Sequence, residues 1–134
     1  MTLHVATARI SYSGPDRLDV TAKGRDPIGM VFAPSWALLG PARHRLAVVA
    51  KARSRGDTAT ADELEDRAWW DYTAAYTAEM RRSYRLYPHV WSTLLSWERA
   101  VLVCYCTDPE RCHRRLLAGI LAKLGAVDEG EVTG

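Results

Sequence analysis

The stretch Val101–Leu124 constrains this chain more than any other. It reads VLVCYC, then TDPE, then RCHRRLLAGILAKL, with Gly125 following. A continuous apolar run of strand length, rich in Val and Leu, fits a strand buried on both faces, as in a parallel sheet. Asp108 suits an N-cap and Pro109 the first helical position. Leu116, Leu117, Ile120, Leu121 and Leu124 then recur at helical spacing, and Gly125 is placed to end the helix. Strand, tight turn and helix predict an α/β fold with a parallel sheet. Such folds keep their sites at the carboxyl ends of strands.

Charge makes this turn unusual. With a helix starting at Pro109, Arg111, His113, Arg114 and Arg115 crowd its beginning. A helix N-terminus carries partial positive charge, and each cation there costs roughly 0.3–1 kcal/mol. Glu110 offsets part of that. An anion held by free N–H groups and arginines accounts for the rest. The competing account has the arginines facing solvent or pairing with acids elsewhere.

At 134 residues the chain is expected to form one domain, 1–134, with a core that needs no staples. The net charge of +2 is too small to argue nucleic-acid binding on its own. All three cysteines fall between Cys104 and Cys112, which is no disulfide framework. No signal peptide or membrane span is apparent, so a cytoplasmic protein without membrane partners is expected.

Leu3–Ile10 alternates apolar and polar residues and reads as a strand. Ser11–Asp16 is a turn, and Leu18–Thr21 a second short strand. Ala22–Gly29 is a basic, glycine-containing loop, and Gly29–Ala33 a short strand. Pro34-Ser35 opens a helical turn that Gly40-Pro41 stops, and a second helix runs over Pro41–Arg55. A capping box at Thr60–Glu63 opens the longest helix, which reaches about Tyr87. Its stripe of Trp69, Tyr72, Tyr76, Met80 and Tyr84 reads as core packing. Pro88–Trp97 is a short helix, and Ala126–Val132 an edge strand or a frayed tail.

Cys104 and Cys106 share one face of their strand, with Cys112 and His113 close behind. Four sulfur and imidazole groups are what a tetrahedral zinc site uses. The spacing C-x-C-x5-C-H is not a usual finger spacing, and adjacent Cys-His pairs seldom hold one metal. The expectation is therefore no metal and no cofactor. Cys112 near a helix N-terminus among cations is alternatively a reactive thiolate or a packing residue. His113 titrates near neutrality and suits a general acid or base.

The segment LVCYCTDPERCHRRLLAGILAKLGA resembles the C-terminal signature of domain-of-unknown-function family 488. Leu102, Cys104, Asp108, Pro109, Cys112, His113, Arg114, Leu117 and Leu121 carry the match. Where that family more often has an acid, this chain has Cys106. The Cys-Tyr-Cys and Cys-His pairing is similar to a related family, 4326, and Phe32-Ala33-Pro34-Ser35-Trp36 is similar to a stretch in members of the first. The resemblance implies a small three-layer α/β fold, Rossmann-like, with a mostly parallel sheet flanked by helices and, through the second family, a nucleotide or sugar-phosphate ligand.

The expected function is thus binding of a nucleotide, a sugar phosphate or a nucleic-acid phosphate at the strand-turn-helix site, with hydrolysis or transfer as the reaction classes open to it. Arg111 and Arg114 hold the anion, and His113 and Cys112 are the catalytic candidates. Cys106 and Asp108 line the turn, while Ser35 and Trp36 close it, Trp36 by stacking on a base. The alternatives are a non-catalytic zinc-stabilised interaction module and a ligand-sequestering binder.

Overall fold

The computed structural model describes residues 2–132. The chain forms two compact units. One contains all four strands and is built from residues 2–33 and 80–132. The other is Pro34–Glu79.

The strands are β1 (His4–Arg9), β2 (Arg17–Asp19), β3 (Arg99–Cys104) and β4 (Val127–Glu131). They lie in the order β2-β3-β1-β4, and every pairing is parallel. The apolar run of β3 sits inside the sheet, and Ala100 to Cys104 are fully buried. Both faces of β3 are therefore covered, and the sheet is the middle layer of a small three-layer α/β fold. Thr7, Leu102 and Cys104 point to one face by strand alternation, and Ala6, Ala8, Val101 and Val103 pack together on the other. Helix α4 (His113–Lys123) packs on β1, β3 and β4. Because all strands run the same way, Arg9, Asp19, Cys104 and Glu131 end at one edge.

The crossover from β1 to β2 takes only residues 10–16, far fewer than a helical crossover needs. The Arg17 guanidinium braces it by donating to the carbonyls of Ile10 (2.9 Å) and Tyr12 (2.8 Å). Ala126–Val132 forms an edge strand rather than a frayed tail. Val127 N–H donates to Leu3 O (2.8 Å) and Val132 N–H to Thr7 O (2.7 Å). Between them the register slips, and Gly130 adopts a positive φ of 80°.

Three local expectations change. Gly29–Phe32 is a 3-10 turn, not a strand. The Asp26 carboxylate accepts from the N–H groups of Ile28 and Gly29 and starts the turn. Gly29 lies so close to β2 that a Cβ there would stand 1.9 Å from Asp19 O. Gly40-Pro41 does not stop a helix: α1 runs unbroken over Trp36–Ser54 with Pro41 inside. Pro41 falls early in the helix and forfeits one backbone bond, while burial of Leu38, Ala42, Val49 and Ala52 continues past it. Helix α2 spans Thr58–Leu86 and starts earlier than expected, because Asp57 rather than Thr60 supplies the cap, accepting from Thr60 N–H at 3.3 Å. Helix α3 (Pro88–Ser96) follows with Pro88 in its first turn. Within the aromatic stripe Tyr76 and Met80 are buried and Tyr84 is exposed. Among the described residues no helix is long and apolar enough to cross a membrane.

Candidate functional site

The turn after β3 is built differently from its sequence signals. Asp108 does cap, but it caps a separate turn: its Oδ1 accepts from Glu110 N–H (2.9 Å) and Arg111 N–H (3.4 Å). Helix α4 begins only at His113, and Cys112 is its N-cap, with extended backbone at φ −155° and ψ 150°. Arg111 thus precedes the helix rather than occupying its first turn. The change from extended Cys112 to helical His113 turns the backbone sharply. Neighbours that would diverge along a regular helix both reach back to the end of β3. One ligand atom from each of Cys104, Cys106, Cys112 and His113 lies within 4.8 Å of the others.

Arg114 lies beneath this cluster with its side chain wholly buried. Its Nη1 donates to Cys104 Sγ (3.0 Å), Cys112 Sγ (3.2 Å) and Cys106 O (2.9 Å). Its Nε and Nη2 donate to the Glu131 carboxylate (3.1 and 2.8 Å). Glu131 also accepts from Thr7 Oγ1 (2.7 Å). A buried guanidinium is tolerable only with its donors satisfied, and five contacts, to the ends of β3 and β4, the turn and the N-cap of α4, do so here. Burial works against the charge, but Glu131 and Cys104 outweigh it and hold the Arg114 pKa above the usual arginine value.

The thiols are not equivalent. The sulfurs of Cys104 and Cys112 stand 2.8 Å apart. Hydrogen bonds from the Cys106 and Cys112 thiols, aided by Arg114, hold Cys104 far below the ordinary thiol range. The hydrogen bond to Cys104 pushes Cys106 up to about 11, and the hydrogen bonds to Cys104 and Cys106 push Cys112 higher still. His113 is buried, and burial lowers its pKa, so it is neutral at pH 7. Its Nε2 lies 2.9 Å from Val20 O. A carbonyl only accepts, so Nε2 carries the proton and Nδ1 the lone pair.

The expected site residues thus divide. Cys106, Cys112, His113 and Arg114 come together, with Cys106 half-buried and the others buried. Arg114 faces sulfurs and a carboxylate. Asp108 organises the turn, and Arg111 lies half-buried on it. Arg115 pairs with Asp128. Ser35 and Trp36 belong to the second unit. There Ser35 caps α1, accepting from Leu38 N–H (3.1 Å), and bonds Glu79. Trp36 is exposed under the Arg43 guanidinium, 5.7 Å from the ring centroid. Sequence reasoning missed Glu131, Thr7 and the Val20 carbonyl. All three reach the cluster through tertiary contacts, and nothing local marks them. A polar groove lined by His4, Asp16, Arg17, Trp97, Glu98, Arg99 and Glu129 opens mainly at the amino ends of the strands. Within it Arg99 pairs with Asp16 and Glu129, and His4 Nδ1 lies 3.4 Å from a Glu129 carboxylate oxygen.

A family model described as DUF488-N3a, the active DUF488-N3 subclade, matches residues 31–125. No curated protein and no solved structure matches the chain.

Proposed function

The chain belongs to the DUF488-N3 subclade described as active, and from that premise we propose that it binds a nucleotide or sugar phosphate at the carboxyl edge of its parallel sheet and processes it by hydrolysis or transfer. The observation that carries this reading is a convergence at one edge. The N-terminus of α4 opens there, its N-cap side chain makes no hydrogen bond to it, and the buried cation Arg114 lies directly behind. Helix N–H groups and a fixed positive charge are what a phosphate group needs.

The roles shift from the simplest sequence picture. Arg111, half-buried on the turn, grips the phosphate. Arg114 acts from beneath, as charge and scaffold. Cys106 lines the mouth. The neutral His113 is held by Val20 and orients the floor. A reducing cytoplasm suits three closely spaced thiols.

Calorimetry and thermal melting test this together. Nucleoside mono- and triphosphates, ribose 5-phosphate and inorganic phosphate are each compared with chloride at matched ionic strength. A ligand at 100 times its Kd stabilises the native state by about 2.7 kcal/mol. At least one phosphorylated ligand is expected to raise the Tm where chloride does not, with Arg111→Ala weakening it, and release of base or phosphate reports turnover. No phosphate-specific shift across the panel would sink the proposal.

A further inference from the structure

We propose that Cys104, Cys106 and Cys112 through Sγ, with His113 through Nδ1, form a tetrahedral zinc site that ties the end of β3 to the start of α4. Zinc is held by Cys sulfur at about 2.3 Å and His nitrogen at about 2.0–2.1 Å. Two sulfurs on one tetrahedral zinc therefore stand about 3.8 Å apart. The four ligand atoms here lie within 4.8 Å of one another, close enough to converge on one ion with side-chain adjustment alone. Three soft thiolates and an imidazole in that arrangement select zinc among the common divalent metals.

The surroundings are those of a metal site as well. His113 donates Nε2–H to the Val20 carbonyl, the outer bond that fixes the tautomer of a metal-ligating histidine. Arg114 donates to two of the three sulfurs. A divalent ion with three thiolates carries one net negative charge, and the guanidinium N–H that reaches two of the sulfurs offsets part of it. On binding, the thiols that still carry protons release them to solvent. With all four positions filled by protein and three ligands buried, the site is closed and structural, and its role is to hold the turn on which the phosphate reading rests.

The test uses the full chain, purified in chelator-free buffer with no phosphorylated ligand present. Elemental analysis is expected to find about one zinc per chain. Cobalt exchanged for zinc is expected to show thiolate charge-transfer absorption and strong tetrahedral ligand-field bands. Cys106→Ser, at the half-buried ligand, is expected to lose zinc to a competing chelator at roughly tenfold lower chelator concentration. Folded, zinc-free wild-type protein with three titratable thiols would overturn the proposal. So would a Cys104–Cys112 disulfide leaving one titratable thiol, the other way of using two close sulfurs. A different metal in stoichiometric amount would overturn the assignment to zinc. Because zinc is measured without ligand, failure here is distinct from failure of phosphate binding.

Discussion

Arg114 and Glu131 are the pair on which the site depends. Removing one partner of a buried ion pair costs about 3–5 kcal/mol, because the other charge is left unpaired. Arg114→Leu is expected to fall at the lower end of that range in urea denaturation, since Glu131 keeps some solvent contact. Adding Glu131→Gln to it should recover part of the loss. Glu131 also gives the protein an acid-sensitive element. Burial alone would raise its pKa, but Arg114 and Thr7 outweigh burial and hold the carboxyl below the ordinary value of 4.5. A depressed carboxyl stabilises fully above its unfolded pKa and loses that contribution as pH falls through the folded one. Stability is therefore expected to drop below about pH 4.5, and Glu131→Gln to flatten that part of the pH profile. Measuring stability from pH 7 down to pH 3 in both proteins decides it.

At the scale of elements, the strands and helices with strong periodic signals were legible. The apolar run of β3, the alternation of β1 and the long amphipathic α2 declared themselves because burial imposes one period on each. Boundaries were harder where one chemical signal serves two structures. Asp108-Pro109 looks like a helix start and is a turn of its own, and Gly40-Pro41 looks like a stop and lies inside α1. The carboxylate partner of Arg114 was illegible, since Glu131 lies 17 residues further on and the Thr7 that bonds Glu131 comes from the first strand. Glycines allow a direct test of element energetics. Gly40 and Gly119 sit inside α1 and α4, where an added Cβ meets nothing within 4 Å. Gly119→Ala is expected to stabilise by about 0.5–1 kcal/mol, while Gly40→Ala is expected to gain less, because the ring of Pro41 crowds a Cβ on the helical residue before it. Gly56 has open space too, but its φ is +77°. Gly56→Ala is expected to destabilise, reversing the sign through backbone strain alone. Thermal melts of the three variants distinguish these signs.

At the scale of the molecule, β4 is an edge of the sheet, and it carries Asp128, Glu129 and Glu131. Charges on an edge keep another strand from pairing with it. Glu129→Val is expected to give concentration-dependent association, read by light scattering, with little change in monomer stability. The order β2-β3-β1-β4 also has a consequence in time. Strand β1 is made first, yet both of its neighbours, β3 and β4, come from the last third of the chain. A ribosome adding about 5–20 residues per second needs several seconds to deliver them. Throughout that interval the segment HVATAR waits without a partner. Its alanines, its threonine and its flanking His4 and Arg9 make it a weakly adhesive strand, suited to a long solitary wait during synthesis.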